Sequence, residues 1–142
     1  MWFKPYTIEE INSIRGGNMI GHLGIQFTKM TEQSLTATMP VDERTCQAAG
    51  ILHGGASATL AETVGSVASY MIINPSVQIS LGLELNINHI RSVTSGMVIA
   101  TAVPVHIGRS THVWNIRIED EHDKLVAYSR LTIVIMDKPS SN

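Results

Sequence analysis

Apolar and polar positions change period along the chain, and each change marks an element. Ile8 to Arg15 (IEEINSIR) reads as a short helix, with Thr7 at its N-cap, Glu10 three residues on, and Gly16-Gly17 as its stop. That spacing is a capping box. Ile25–Met30 and Ser34–Met39 are rich in β-formers and flank a polar Thr31-Glu32-Gln33 turn, which predicts a hairpin. Pro40 to Gly50 is a loop carrying Arg44, Cys46 and Gln47. From Ala56 to about Ile73, apolar residues fall at 56, 60, 64, 67 and 71, and steps of three and four predict a helix. Past Asn74-Pro75 the period drops to two. Leu81, Leu83, Leu85 and Ile87 alternate with Gly82, Glu84, Asn86 and Asn88. Gly96–Val105, Thr111–Glu119 and Lys124–Met136 follow as long strands, divided by Gly108-Arg109-Ser110 and Asp120–Asp123.

The order is helix, two strands, one long helix, four strands. Short polar turns between successive strands favour an antiparallel sheet over parallel βαβ units. The class is α+β, with the long helix lying in the curve of the sheet. A length of 142 residues suits one domain spanning 1–142, with 139–142 expected as a frayed tail. Only 15% of residues are charged against 44% hydrophobic, and the net charge is −2. So small and so weakly charged a chain is expected to hide surface in an oligomer. The isoelectric point near 6.3 argues against nucleic acid as a partner. The single cysteine, Cys46, excludes an internal disulfide framework and a multi-cysteine metal site. Neither a signal peptide nor an 18-residue apolar run is visible, so no membrane partner and a cytoplasmic location are expected.

The long helix is the chemically unusual segment. Ala56, Ser57, Ala58, Ala61, Gly65, Ser66, Ala68 and Ser69 are small, so something approaches its backbone closely, and a helix of this content is expected to be buried. Glu62 is the only charged side chain between His53 and Glu84. It is either a carboxylate that reaches solvent or a distant arginine, or a reactive group in an enclosed site with Ser66 on the same face. At the start of the helix, Gly54 and Gly55 allow close approach to unpaired N–H groups at the positive end of the dipole, which suits an oxyanion. Alone, Gly-Gly is only a loop-to-helix joint. With His53 before it and Gln47 upstream, a polar cluster converges there, His53 being open to a structural or a catalytic role. No Gly-x-Ser-x-Gly elbow or HExxH pair occurs, so neither a serine hydrolase nor a zinc protease is indicated.

The run Gln47-Ala48-Ala49-Gly50-Ile51-Leu52-His53-Gly54-Gly55-Ala56-Ser57, then Leu60-Ala61-Glu62 and Gly65-Ser66, resembles the hot-dog-fold acyl-CoA thioesterases. Within them it is most similar to the bacterial branch acting on 1,4-dihydroxy-2-naphthoyl-CoA and on misloaded aryl carriers in enterobactin synthesis. The likeness extends through Asn18-Met19, Ala37–Asp42, Gly82-Leu83-Glu84, the Asn86–Ser92 segment and Val113-Trp114. It implies a hot-dog sheet wrapped around the long helix, and dimers that pair into tetramers with active sites at the dimer interface. It further implies that Glu62 is nucleophile or general base, that the Gly54 N–H polarises the thioester carbonyl, and that Gln47, His53 and Ser66 support them. Gly82, the run His89, Ile90, Arg91, Ser92, and the run His106, Ile107, Gly108, Arg109, Ser110, Thr111 match positions that hold CoA. No metal and no cofactor are implied, CoA being part of the substrate. Ala48 is a departure, since relatives tend to have proline there.

Helix geometry bears on the interface independently. Glu62 lies eight residues past Gly54, about 12 Å along one helix axis. One thioester carbon cannot sit within about 3.5 Å of both groups. Two antiparallel helices from different subunits would bring one Glu62 to the other's Gly54. The expected reaction is hydrolysis of an acyl-CoA to free acid and CoA, with Arg91 and Arg109 facing phosphate. Two alternatives carry the same fold: a dehydratase of hydroxyacyl thioesters, and a non-enzymatic acyl-CoA binder. Met19, Phe27, Val64, Tyr70 and Met71 are candidates to line the acyl pocket, or else ordinary core.

Overall fold

All the period-two segments become strands of one sheet in the computed structural model, which describes residues 1–139. The predicted hairpin is β1 (Gln26–Met30) and β2 (Leu35–Pro40), its turn closed by the Thr31 N–H donating to the Ser34 carbonyl at 2.9 Å. The later strands are β3 (Gln78–His89), β4 (Met97–Ile107), β5 (Thr111–Asp120) and β6 (Leu125–Asp137). The order across the sheet is β1-β2-β4-β5-β6-β3, every neighbour antiparallel. β3 therefore leaves its sequence neighbours and pairs with β6 at the far edge. Its twelve residues form an open edge strand on which Leu81 and Leu83 are 51% and 64% exposed.

The one long helix, α3 (Gly54–Ile72), packs against β2 through β6. It starts two residues before the apolar period does because His53 caps it, the ring Nδ1 accepting the Gly55 N–H at 2.7 Å. Ala56, Leu60, Val64 and Met71 enter the core as their spacing predicts, beside Phe27, Trp114, Ile116 and Leu131. The small residues serve the expected purpose. A Cβ at Gly65 would press into Leu131 of β6, so helix and sheet approach there more closely than alanine permits. The expectation of burial all round needs correcting along one stripe. Thr59, Glu62 and Ser66 are half-buried and Tyr70 is exposed, because that face meets only the edge strand β3 along one side and clefts open beside it.

The N-terminal helix is shorter than the sequence suggests. The capping box at Thr7 and Glu10 forms, but α1 (Ile8–Asn12) tightens into a 3-10 turn over Ser13–Arg15. A four-residue helix, α2 (Met19–His22), follows unpredicted, too short to show a period. Of the expected frayed tail, Pro139 is exposed and residues 140–142 lie outside the described residues. Among the described residues no helix is long and apolar enough to cross a membrane.

Candidate functional site

The loop before α3 is folded by its own backbone. The Gln47 N–H donates to the Ile51 carbonyl at 2.8 Å, and the Gly50 N–H donates to the Gln47 carbonyl at 2.9 Å, with Gly50 at φ 76°. That left-handed backbone favours glycine. The Gln47 side-chain oxygen accepts the Ala49 N–H at 2.9 Å, which closes the turn without proline at position 48 and leaves the amide N–H groups to donate elsewhere. Leu52 and His53 donate their backbone N–H groups to the Val93 and Thr45 carbonyls, both at 2.8 Å, and the donor after them is the Gly54 N–H. It makes no hydrogen bond among the described residues, while Ala56 and Ser57 return theirs to the His53 carbonyl. An unpaired donor thus stands at the positive end of a 19-residue helix. The imidazole of His89 lies against the Cα of Gly54, so a Cβ at position 54 would be 2.8 Å from His89 Nε2. Gln47, Gly54, Ser57, His89, Arg91 and Ser92 line one cleft of about 250 Å³.

Glu62 lies further along the helix on the open stripe. Its carboxylate rests over Gly82 of β3, in the space a side chain there would fill. No ion pair reaches it among the described residues. Burial raises its pKa above the ordinary glutamate value, and the Ser66 hydroxyl one turn on draws it part of the way back. Met19, Ile20 and Leu85 border the carboxylate in a cleft of about 420 Å³. Beyond Ser66, a cleft of about 570 Å³ opens between α1 and the second half of α3, with Val67, Tyr70 and Met71 on one wall and Tyr6 on the other. Of the acyl-pocket candidates, Phe27 and Val64 are core, Met71 is core that borders a cleft, and Met19 and Tyr70 face outward.

The predicted site residues are thus divided in space. Gln47, Gly54 and the His89–Ser92 run come together. His53 points to the other side of the helix start, into a cleft with Arg44, Cys46 and Thr59. Its observed bond is the helix cap. Gly82 lies with Glu62. The His106–Thr111 run lies at the opposite end of α3, beside Ser69, which Trp114 and His112 of β5 contact. Fifteen residues of helix separate Gly54 from Ser69, about 22 Å. Among the described residues no cluster of His, Cys, Asp and Glu could hold a metal ion.

The family model of the thioesterase superfamily matches residues 49–127, the segment holding the helix, the carboxylate and most of the sheet. The chain belongs to the thioesterase superfamily. This thioesterase is 45% identical over 136 residues to the 1,4-dihydroxy-2-naphthoyl-CoA hydrolase of Escherichia coli, spanning 96% of the chain and 99% of that protein. It is 42% identical over 136 residues to the proofreading thioesterase EntH of Cronobacter turicensis, spanning 96% and 98%. Its fold matches a thioesterase of Pseudomonas aeruginosa, solved with one glutamine changed to alanine, at a TM-score of 0.95, 42% identity, 96% of this chain and 99% of that one. A thioesterase of Staphylococcus aureus matches at TM-scores of 0.83 and 0.81, with 37% and 38% identity, 85% of this chain and 100% and 98% of that one. It was solved with a glutamate and with a glutamine changed to alanine, fifteen positions apart. Gln47 and Glu62 are also fifteen apart.

Two features of this thioesterase escape a reading of spacing alone. His89 packs on the helix start from 35 residues away, and nothing between the two positions signals that contact. Ser57, buried in the Gln47 cleft, had a weak signal in its place one turn past Gly54.

Proposed function

We propose that this thioesterase hydrolyses acyl-CoA thioesters to the free acid and CoA, and that aryl-CoAs of the benzoyl and 1,4-dihydroxy-2-naphthoyl type are its substrates. The observation that carries the reading is the pair of unpaired groups on α3. A free N–H stands at the helix start with the Gln47 amide beside it, and a lone carboxylate of raised pKa sits two turns along, over a glycine. The Gly54 N–H and the Gln47 amide donate to the thioester oxygen and stabilise the charge that develops on it. Glu62 attacks the carbonyl carbon to give a mixed anhydride that water then opens, or takes a proton from the attacking water; in both routes the CoA thiolate leaves. Partial desolvation makes the carboxylate more basic for either task. Ser66 orients it, and His53 serves by holding the helix start in place. Neither route needs a metal or organic cofactor.

Since Gly54 and Glu62 are about 12 Å apart in one chain, each site takes Gly54 and Gln47 from one subunit and Glu62 from another. The open stripe of α3 and the open edge of β3, with Leu81 and Leu83 exposed, supply the surface for that contact. Such dimers pair into a homotetramer in the cytoplasm. The same arrangement brings the Gly82 and His106–Thr111 positions of one subunit toward the His89–Ser92 run of its neighbour, around one CoA. The name of the Escherichia coli relative supports the aryl-CoA assignment, that of the Cronobacter relative supports thioester hydrolysis, and the glutamine and glutamate changed in the Staphylococcus protein support the pairing of Gln47 with Glu62. Release of free thiol from benzoyl-CoA tests the reading. Saturable turnover is expected, and binding without thiol release would leave the non-enzymatic alternative instead.

A further inference from the structure

Three buried polar groups near the C-terminal end of α3 have no part in the reaction proposed above. Ser69 on the helix and Trp114 on β5 are 0% exposed, and His112 on β5 is 2% exposed. The indole N–H of Trp114 can only donate, and it donates to Ser69 Oγ at 2.8 Å. Ser69 Oγ lies 3.1 Å from His112 Nδ1. With one lone pair taken by the indole, the serine hydroxyl keeps a proton and a second lone pair, so it bonds Nδ1 in either imidazole tautomer. Burial together with the nearby His106 imidazole lowers the His112 pKa and holds the ring neutral. Trp114 and His112 thus both bond to Ser69, and because His112 follows Thr111 directly, its bond anchors the end of the Gly108–Thr111 turn to α3.

That turn has other ties, but they run within the sheet. The Gly108 N–H donates to the Thr111 carbonyl at 2.9 Å, and the Ile135 N–H donates to the Ser110 carbonyl at 2.8 Å. His112 adds the tie to the helix that bears Glu62. We infer that His112 is a positioning residue, fixing the Gly108–Thr111 turn against α3 so that Arg109 and the turn's backbone N–H groups present one geometry to the phosphates of the CoA moiety. This rests on the proposed reading of the turn as part of the CoA site. A planar guanidinium on a short turn gains from such fixing, because its fork of donors is productive only when correctly oriented.

His112→Phe keeps most of the volume and removes both nitrogens. Steady-state kinetics on benzoyl-CoA and on the benzoyl thioester of N-acetylcysteamine, which lacks the nucleotide, separate positioning from general damage. The expected result is a KM for benzoyl-CoA raised roughly five- to tenfold, the weight of one buried hydrogen bond, with kcat and the truncated substrate unaffected. His112→Gln, able to hydrogen-bond Ser69 again, should recover most of that KM. Should His112→Phe fail to fold, Ser69→Ala breaks the same bond with a smaller change and should show the same split. Equal losses on both substrates, or an unchanged KM, would overturn the inference. Arg109→Ala separates the two levels: if it raises KM while His112→Phe does not, only the inference fails. If Arg109→Ala leaves KM unchanged, the reading of the turn as a CoA contact fails and the inference falls with it.

Discussion

Replacing Gly82 by alanine puts a methyl group where Glu62 rests its carboxylate. Gly82 lies outside the positive-φ region and is exposed on the edge strand β3, so alanine enters without backbone strain. Alanine in a strand interior is, if anything, favoured over glycine by about 0.5–1 kcal/mol. The fold should therefore hold, and the adjustment falls on the flexible end of Glu62. To regain ordinary contact of about 3.5 Å the carboxylate must withdraw by about 1 Å or more, and a displacement of that size from a reacting geometry costs on the order of 10²-fold in rate. Thiol release from benzoyl-CoA should show kcat down by that factor, with the denaturant midpoint unchanged or higher. A folded Gly82→Ala protein with kcat within about threefold of wild type would refute the claim that the position of this carboxylate matters.

Glu62→Gln should lose on the order of 10²–10⁴-fold in kcat while remaining folded. Its stability has a definite sign. Burial raises the Glu62 pKa, so the folded state holds the proton more tightly than the unfolded one; stability is full below the unfolded value and declines as pH rises through the folded value. The uncharged glutamine escapes that decline, and denaturant melts at neutral pH should place the variant level with wild type or above it; a clearly lower midpoint would count against a desolvated carboxylate. For wild type, the acid limb of kcat/KM should have its midpoint above the ordinary glutamate range. His53→Ala should lower stability by about 1 kcal/mol through loss of the helix cap, and His53→Asn should restore it; urea titrations decide, and equal stability of all three would remove the cap. Arg91→Ala should raise KM for benzoyl-CoA while sparing the N-acetylcysteamine thioester, and equal effects on both would make Arg91 structural.

The strands were legible because each keeps a period of two over most of its length, and the long helix because its large apolar residues recur on one side. The open stripe was not, since Thr59, Ser66 and the small residues beside them look alike in sequence whether covered or bare. On β3 the alternation is misleading in detail. A register shift between Gly82 and Glu84 breaks the pairing at Leu83, which is exposed although the pattern continues unbroken through it. Candidate chemistry was visible at Glu62 because one charge in an apolar helix is conspicuous, and at Gly54 because helix starts carry unpaired donors. What escaped is set by strand order. β3 pairs with β6 rather than with β4, which carries Gly82 under Glu62 and His89 onto Gly54. Local spacing holds no record of that crossover, so Gly82 read only as a CoA position and His89 only as a contact for CoA.

The shared site can be tested by complementation between two damaged chains. Gln47→Ala and Glu62→Gln are each expected to be nearly inactive. Unfolded together in equal amounts and refolded, they should form heterodimers in which one site carries both lesions and the other neither. Random pairing then restores roughly a quarter of wild-type sites, because a two-fold interface repeats each contact. Turnover of benzoyl-CoA near that level is the predicted result. No recovery, with heterodimers demonstrated by native mass spectrometry, would contradict a site built from Gln47 of one subunit and Glu62 of another.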